Sequence, residues 1–256
     1  MRGRVSAKIT GGNMSTHRID IPQEVIDRAI MRRGKRHVFD AIDPARTALL
    51  VIDLQRAYVA DATAVPSARG IVCNVNRLAD ALRAAGGRVV WIKDTRDETS
   101  PTARWPRFVE FCHSDWGEAL TRALSPSHPG HELYDGLSID PVDDVVVKTR
   151  FSAMIQGSSD LHERLTAQGI DTVIVTGTVT NVCCESTARD AMMLNYKVHF
   201  VSDGTAARTD AEHNATLANM LLWFADVRTA DEIVALIDQA APAKQGVANA
   251  AHRQTA

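Results

Sequence analysis

The stretch from Thr172 to Ala191, TVIVTGTVTNVCCESTARDA, constrains the fold more than any other part of the chain. It opens with a β-branched run over 172–176, which is typical of a buried parallel strand. Gly177 ends the run, and residues 178–181 are too polar and too few to form anything but a turn. From Cys183 onward the apolar residues recur at helical spacing. The stretch therefore predicts a strand, a tight turn and a helix, with a cysteine where the turn meets the helix.

A cysteine at the start of a helix is in a suitable place for a nucleophile. The unpaired backbone N–H groups there lower the pKa of a thiol and can stabilise a developing oxyanion. The alternative is that Cys183 and its neighbour Cys184 are small core residues, because free cysteine is often buried. The four cysteines, at positions 73, 112, 183 and 184, have neither metal-type nor disulfide-type spacing. Reduced thiols in a cytoplasmic protein are the simplest interpretation.

The rest of the chain alternates apolar runs with amphipathic segments. Strands are predicted over 47–52, 88–92, 144–147, 172–176, 198–202 and near Val227, and helices over 21–33, 69–86, 161–168, 210–224 and 230–240. This alternation predicts an α/β fold, a three-layer sandwich with a mostly parallel central sheet flanked by helices. The ligand site of such a sheet lies at the carboxyl ends of its strands. Residues 94–141 lack sustained periodicity, and so long a segment usually has a functional role or contains short helices.

The domain boundaries follow from composition. Residues 1–20 are predicted to be a disordered tail, since they lack the apolar core of a signal peptide, and Met14 is an alternative start. Residues 21–44 are predicted to be a helical arm that packs on the domain or on a neighbouring subunit. Residues 45–241 form the predicted globular domain, and residues 242–256 a flexible tail.

Charge and hydropathy exclude several classes of partner and cofactor. The formal net charge is −2, so nothing indicates nucleic acid or an anionic membrane as a partner. No apolar run approaches the roughly 20 residues that a membrane-spanning helix needs. Neither a G-x-G-x-x-G motif nor a P-loop occurs in the sequence, so no nucleotide cofactor is expected.

Three residues with reactive side chains, Asp53, Lys148 and Cys183, each follow a predicted strand. Each alone has an ordinary alternative, because an aspartate there often caps a helix and a lysine is usually a solvated charge. Together at one edge of one sheet they provide a thiol with an acid and a base to tune it. None of the nine histidines lies at a comparable strand end. A carboxylate therefore has to accept the thiol proton.

The chain contains three longer motifs: ALLVIDLQRAY at 48–58, VVVKTRFSAM at 145–154 and TGTVTNVCCESTARDA at 176–191. Through them it resembles the isochorismatase-like cysteine hydrolase superfamily, and among its members the ureidoacrylate amidohydrolases most. The resemblance extends over roughly residues 45–240. It implies a hydrolase that cleaves a small linear amide or a ureido or carbamoyl C–N bond through a thioester intermediate, releasing ammonia or carbamate.

The resemblance also implies a catalytic triad. In this family the motif cysteine is followed four residues later by threonine and seven residues later by aspartate. Cys183 fits this spacing and Cys184 does not. The resemblance therefore implies Cys183 as the nucleophile, Asp53 as the general base and Lys148 as the third member of the triad.

An oxyanion hole is implied in the same way. The family has a cis peptide just after the motif glycine, which here corresponds to the bond between Thr178 and Val179. This bond would turn the Val179 N–H toward the Cys183 N–H, and the two groups would hold the oxyanion. Asp53 would take the thiol proton, return it to the leaving amine and then activate the water that hydrolyses the thioester.

The substrate-binding candidates are Tyr58, Asp94, Arg96 and Arg150. Ureidoacrylate amidohydrolases have asparagine and tryptophan about where this chain has Asp94 and Arg96, which sets it apart from them. An arginine fork matches a carboxylate, and Asp94 can accept from an amide NH₂. These features favour a substrate with a carboxylate and a ureido or amide end. The alternative is that Asp94 and Arg96 pair with each other.

The resemblance also bears on whether the protein binds a metal and on its oligomeric state. Nicotinamidases bind a metal through histidines in the segment that here reads DTRDETSP, at 94–101, and it contains none. No metal and no cofactor are therefore expected. A homodimer or homotetramer is expected. Two alternatives stay open: a vinyl-ether hydrolase of the isochorismatase type, whose members lack the nucleophilic cysteine, and a non-catalytic protein that has kept the fold.

Overall fold

The computed structural model describes residues 16–112 and 114–240. Six of its segments form one sheet: β1 Thr47–Ile52, β2 Arg88–Asp94, β3 Asp144–Lys148, β4 Thr172–Thr178, β5 Lys197–Ala206 and β6 Asp226–Arg228. The order across the sheet is β3-β2-β1-β4-β5-β6, and every neighbouring pair is parallel. The predicted α/β fold with a parallel sheet is confirmed. Strand β5 is longer than predicted and runs past Asp203 to Ala206.

Helices cover both faces of this sheet. In chain order they are α1 Gln23–Arg33, α2 Arg56–Val59, α3 Ala68–Ala84, α4 Pro106–Phe111, α5 Asp115–Ala123, α6 Leu161–Ala167, α7 Glu185–Met193, α8 Asp210–Asn219 and α9 Ala230–Ala240. A π-helical turn, Thr180–Cys184, leads into α7, and another, Met220–Phe224, follows α8. The segment predicted over 94–141 does contain short helices, namely α4 and α5.

Strand β1 lies inside the sheet, between β2 and β4, and its side chains are buried on both faces. Ala48, Leu50 and Ile52 belong to the apolar cluster that includes residues of α1, α6, α7 and α8. Leu49 and Val51 belong to the opposite cluster, with residues of α3, α5 and α9. Successive side chains of a strand point to opposite faces, so a continuous apolar run requires a helical layer on each side. The result is the predicted three-layer sandwich.

Gly177 lets β1 and β4 approach closely at their carboxyl ends. It pairs with Ile52, and its φ is 111°. A Cβ atom at this position would lie 2.0 Å from the carbonyl oxygen of Ile52, so only glycine fits without moving the strands apart. Strand β4 continues one residue beyond it, to Thr178. The peptide bond between Thr178 and Val179 is cis, as predicted.

The N-terminal arm packs on its own domain. Ala29 of α1 is fully buried in the core, and the Arg32 guanidinium lies 3.1 Å from the centre of the Trp223 ring. His17 contacts the start of α8 through a 2.7 Å bond between its Nδ1 and Asp210 Oδ1. The packed arm therefore starts before the boundary predicted at residue 21. That it also contacts another subunit stays a prediction.

The remaining parts of the two predicted tails, residues 1–15 and 242–256, lie outside the described residues. Within residues 16–112 and 114–240, no helix combines the length and apolar character that crossing a bilayer requires.

Candidate active site

The three reactive residues predicted at strand ends form one buried cluster. Asp53 follows β1, Lys148 ends β3, and Cys183 lies in the π-helical turn after β4. Lys148 Nζ is 2.8 Å from Asp53 Oδ2 and 3.4 Å from Cys183 Sγ. All three side chains are buried. The carboxyl edge of the sheet thus brings together a thiol, a carboxylate and an ammonium group.

The backbone at Asp53 aims its side chain into this cluster. Its φ is 52°, in the left-handed region that aspartate tolerates better than most residues other than glycine. Its N–H donates to the Ile92 carbonyl at 2.9 Å, and its own carbonyl accepts the Thr178 hydroxyl at 2.9 Å. Neighbouring strands therefore hold Asp53 in a conformation of the kind that is frequent at functional sites.

Asp94 and Arg96 form a second ion pair beside Lys148. Arg96 Nη2 donates to Asp94 Oδ2 at 3.0 Å, and the Tyr58 hydroxyl donates to the same oxygen at 3.0 Å. The other carboxylate oxygen lies 3.8 Å from Lys148 Nζ. The Gln55 side chain bonds both the N–H of Asp94, at 2.8 Å, and its C=O, at 3.0 Å. Asp94 and Arg96 therefore do pair with each other, but the pair uses only Nη2 of the guanidinium, and a contact between Arg96 and substrate stays a prediction.

The charges of this cluster cancel, because two carboxylates face two cations. Burial raises the pKa of Asp53 to about 6; attraction to Lys148 opposes this shift and repulsion from Asp94 adds to it. Burial works in the same direction on Asp94, but Arg96 and Lys148 outweigh it and lower the pKa of that carboxyl. Burial disfavours the charge on Lys148, yet the two carboxylates raise its pKa above the usual value. Asp53 is therefore the group of this cluster that gains or loses a proton closest to neutral pH.

The Cys183 thiol is protonated at rest. Burial raises its pKa well above the usual value, and the Asp53 carboxylate adds to that shift, while Lys148 opposes it. The prediction that the helix start lowers this pKa is therefore wrong, because lost hydration and a nearby negative charge outweigh the backbone N–H groups. A buried thiol of this kind needs a base to become a nucleophile.

Cys184 has a different environment from Cys183. Both cysteines belong to the apolar cluster that covers one face of the sheet, and Cys184 is fully buried there. Its Sγ lies 3.8 Å from the carbonyl oxygen of Thr176, behind the turn. Cys183, by contrast, lines a cavity. The alternative of a small core cysteine therefore describes Cys184.

A cavity of about 190 Å³ opens onto Cys183. The turn after β4 forms one side of it. The other lining residues are mainly apolar and aromatic, with polar groups in addition: Tyr58, Arg96, Phe108, Cys112, Trp116, Leu120, Phe151, Arg208 and Glu212. A space of this size and lining suits a small molecule with an apolar body.

Arg96 is enclosed by aromatic rings. Its guanidinium carbon lies 4.4 Å from the centre of the Phe108 ring, 4.7 Å from Trp105 and 5.9 Å from Phe151. The residue is 3% exposed, and its Nε and Nη1 atoms have no hydrogen-bond partner among the described residues. Buried donors are nearly always paired. Unpaired donors on a residue that lines the cavity make Arg96 a candidate contact for a bound molecule.

Arg150, a predicted substrate contact, does not line this cavity, whereas Tyr58 and Arg96 do. The Arg150 side chain lines a separate cavity, with Arg189, and Phe151 lies between the two spaces and contributes to both. The guanidinium donates to the Thr149 carbonyl at 2.7 Å. Only the backbone of Arg150 reaches the cluster, where its carbonyl oxygen lies 3.2 Å from Lys148 Nζ.

A metal ion fits this cluster poorly. Asp53, Asp94 and Cys183 offer ligand atoms within 4.8 Å of one another. The Lys148 ammonium lies among them, at 2.8 Å from Asp53 Oδ2 and 3.8 Å from Asp94 Oδ1. A cation of the protein thus already neutralises the carboxylates, and it would repel a metal ion in the same space.

Several residues of the site were missed by sequence reasoning. Phe108 and Trp116 come from the segment 94–141. Its length indicated a function, but without periodicity the sequence does not show which of its side chains face the site. Arg208 lies two residues after the end of β5, but the strand was predicted to end at residue 202, so the sequence did not place Arg208 at a strand end. Gln55 lies inside the first motif, but its contact with Asp94 spans 39 positions and depends on the fold.

Comparison with known proteins identifies the family. The family model described as Isochorismatase domain matches residues 47–232. The chain belongs to the isochorismatase family. The resemblance seen in the motifs is thereby confirmed, and the matched range contains the whole cluster around Lys148.

Relatives of this isochorismatase-family chain include one named as an amidohydrolase and one named as probably inactive. It is 35% identical over 179 residues to a protein of Arabidopsis thaliana named probable inactive nicotinamidase, covering 68% of this chain and 87% of that protein. It is 30% identical over 216 residues to the ureidoacrylate amidohydrolase RutB of Agrobacterium fabrum, covering 78% and 94%. A crystal structure of a cysteine hydrolase from Pseudomonas syringae pv. phaseolicola superimposes with a TM-score of 0.71 at 30% identity, covering 78% of this chain and 95% of that one.

Proposed function

We propose that this isochorismatase-family hydrolase cleaves a small linear amide or a ureido or carbamoyl C–N bond, with Cys183 as the nucleophile. The observation that carries the proposal is a thiol that lines a cavity and lies 3.4 Å from Lys148 Nζ, with Asp53 within 4.8 Å. The similarity to a ureidoacrylate amidohydrolase supports this bond class.

In the first half of the proposed reaction, Asp53 takes the proton of the Cys183 thiol. The sulfur then attacks the carbonyl carbon and forms a tetrahedral oxyanion. Val179 lines the cavity beside Cys183, and the backbone N–H groups of these two residues are the proposed oxyanion hole. When the C–N bond breaks, Asp53 returns its proton to the leaving nitrogen, and a thioester remains. Proton transfer from Cys183 to Asp53 keeps the net charge of the buried cluster constant, so Lys148 balances the negative charge at every stage.

In the second half, a water molecule replaces the leaving amine. Asp53 accepts a proton from the water, and the oxygen attacks the thioester carbonyl. The C–S bond breaks, and the proton on Asp53 returns to the sulfur, which restores the Cys183 thiol. The product is a carboxylate, or a carbamate where the substrate is a ureido compound. One carboxylate thus serves as base twice and as acid twice.

Two alternatives remain beside an amidohydrolase. The Arabidopsis relative is named as inactive, so membership of the family does not guarantee turnover. The contact of Lys148 with both Asp53 and Cys183 favours a catalytic protein. A vinyl-ether hydrolase of the isochorismatase type needs no thiol, whereas in this chain Cys183 lines the cavity.

The proposed function is tested by a screen for released ammonia. The panel contains small ureido acids, N-carbamoyl amino acids, biuret-like compounds, primary amides and a vinyl ether whose consumption is followed directly, each incubated with the wild-type protein and with Cys183→Ala. We expect ammonia from at least one class with the wild type and none above background with the variant. Turnover of a vinyl ether without ammonia, undiminished in Cys183→Ala, would support the rival hydrolase.

We expect kcat/KM to fall as the pH drops through about 6. Asp53 can accept the thiol proton only when it is ionised, and its pKa is raised to about 6. The same group affects stability in the opposite direction. Its folded pKa lies above the unfolded value of about 4, so it stabilises the fold below pH 4, and this contribution is lost as the pH rises through 6.

The pH profile of kcat/KM for one substrate, recorded with a stability check by circular dichroism at each pH, tests this expectation. An acid limb centred near 6 in a fully folded protein agrees with Asp53 as the base. A profile that stays flat down to pH 4.5 would exclude it.

We also propose that the substrate carries a carboxylate and that Arg96 contacts it. Arg96→Ala is then expected to lower kcat/KM for acidic substrates by roughly tenfold to a hundredfold more than for neutral amides. The informative quantity is the ratio of kcat/KM for acidic substrates to kcat/KM for neutral amides. Asp94 loses its partner Arg96 whichever substrate is used, so that disturbance cancels in the ratio.

Arg150→Ala is the matched control for Arg96→Ala. Its guanidinium also lies near the Trp105 ring, at 5.2 Å, but on the side of a different cavity. We expect this variant to keep the wild-type ratio. Equal losses on acidic and neutral substrates in Arg96→Ala would make Arg96 structural.

A further inference from the structure

The turn that carries Cys183 is held at its start by a histidine that the proposed mechanism does not use. His213 of α8 is fully buried. Its Nδ1 lies 3.0 Å from Thr180 Oγ1, and its Nε2 lies 2.9 Å from the carbonyl oxygen of Ser202. A carbonyl oxygen can only accept, so Nε2 carries the hydrogen and Nδ1 accepts from the Thr180 hydroxyl. Both ring nitrogens are therefore hydrogen-bonded, one to the Thr180 side chain and the other to the Ser202 backbone.

His213 is neutral at physiological pH. Burial lowers its pKa to about 4, and the neighbouring His17 adds to that shift. The Thr180 hydroxyl is thus fixed as a donor, with a single acceptor on a rigid ring. A hydrogen bond of this kind restricts a turn more than one to a flexible side chain would.

The contact between His213 and Thr180 affects the peptide of Val179, which lines the same cavity as the nucleophile. Val179, which lines the cavity, has a threonine on each side. The Thr178 hydroxyl donates to the Asp53 carbonyl at 2.9 Å, and the Thr180 hydroxyl donates to His213. The Val179 peptide is therefore tied to β1 on one side and to α8 on the other. Both threonine side chains are completely buried, so water does not compete for these bonds.

The N-terminal arm completes this support. The His17 ring stacks on the His213 ring, with centroids 4.2 Å apart and planes 15° from parallel. His17 Nε2 accepts the Ala207 N–H at 2.9 Å, so its Nδ1 carries the hydrogen that bonds Asp210 at 2.7 Å. The arm ring is thus fixed on one face of His213, and its side chain is 4% exposed.

We propose that His213 is a positioning residue for the nucleophile turn and that His17 of the N-terminal arm holds its ring in place. Through Thr180, His213 fixes where Val179 and Cys183 face the substrate carbonyl; this role rests on the proposed function. An arm remote in sequence thereby becomes part of the support of the catalytic turn. Displacements of about 1 Å in a reacting group can cost up to a hundredfold in rate.

Thr180→Val tests the proposal, because it keeps the branched shape and removes only the hydroxyl. We expect kcat to fall roughly tenfold with KM within about twofold of wild type, and Thr180→Ser to restore most of kcat. His17→Ala is expected to lower kcat by about threefold. The matched control is Thr47→Val, which removes a completely buried hydroxyl that donates to the Asp43 carbonyl at 2.7 Å, at the far end of β1.

A second readout needs no substrate. Amide hydrogen exchange of the peptide that contains residues 179–184 should be about tenfold faster in Thr180→Val than in Thr47→Val. Equal exchange in the two variants, or equal kcat, overturns the proposal. An active Cys183→Ala, or a wild type that releases no ammonia from any substrate, refutes the proposed function instead, and the exchange experiment then still decides whether His213 holds the turn.

Discussion

Cys183→Ala is expected to lower ammonia release by about 10⁴-fold or more, whereas Cys184→Ala keeps most of the wild-type rate. The proposed thioester can form only on a sulfur that reaches the substrate. Cys183 lines the cavity and lies 3.4 Å from Lys148 Nζ. The Cys184 sulfur instead lies 3.8 Å from the Thr176 carbonyl, inside the core. The two variants remove the same atom from adjacent positions, so each is the control for the other.

Their effects on stability should follow the opposite order. Cys184 packs in the apolar cluster, and its truncation leaves a small cavity that costs about 1–2 kcal/mol of unfolding free energy. Cys183 lines the cavity, so its truncation enlarges an existing space instead of opening a new one in the core, and its cost is smaller. Urea denaturation measures both costs, and intact-protein mass spectrometry with a slow substrate measures the acyl adduct. An acyl adduct that forms in Cys183→Ala but not in Cys184→Ala, or a dead Cys184→Ala beside an active Cys183→Ala, would show that the nucleophile has been assigned to the wrong residue.

The part of the site that lies on the sheet could be predicted from the sequence. Continuous apolar runs mark buried parallel strands, and the carboxyl ends of such strands lie at one edge of the sheet. The positions of Asp53 and Lys148 directly after two runs therefore placed them together. Cys183 was harder to place, because it lies in a π-helical turn and not in the first turn of an α-helix. Its spacing from a later threonine and aspartate came from the family resemblance.

Contacts between distant segments could not be predicted. The sequence places Asp94 and Arg96 two positions apart, but it does not reveal that both side chains turn inward and pair at 3.0 Å. Arg150 follows a strand end as well, yet it lines another cavity, and Phe151 contributes to both. The bond between His213 and Thr180 spans 33 positions, and the capping box at the start of α8 marks the helix but not the partner of His213. Such contacts depend on how layers pack, and no local pattern encodes them.

Replacement of Lys148 is expected to have the second large effect, on both turnover and folding. Its ammonium group lies 2.8 Å from Asp53 Oδ2, 3.8 Å from Asp94 Oδ1 and 3.4 Å from Cys183 Sγ, with no solvent exposure. Lys148→Met keeps most of the volume and removes the charge. Two buried carboxylates then face each other with Arg96 as their remaining cation. Breaking a buried pair in this way costs about 3–5 kcal/mol, and turnover should be lost because nothing balances the negative charge on the thiol side.

The cost of Lys148→Met should depend on pH. Without the ammonium group, the pKa of Asp53 rises further above its unfolded value, so the variant is most stable at low pH and loses stability as the pH rises through the new pKa. The difference in unfolding free energy between wild type and variant should therefore be larger at pH 8 than at pH 5, as measured by urea denaturation. Lys93→Met is the matched control, since Lys93 Nζ lies 3.5 Å from the exposed Glu132 carboxylate, a pair that contributes less than about 1 kcal/mol. Equal losses in the two lysine variants, or a loss in Lys148→Met that does not change with pH, would show that Lys148 does not balance the buried carboxylates.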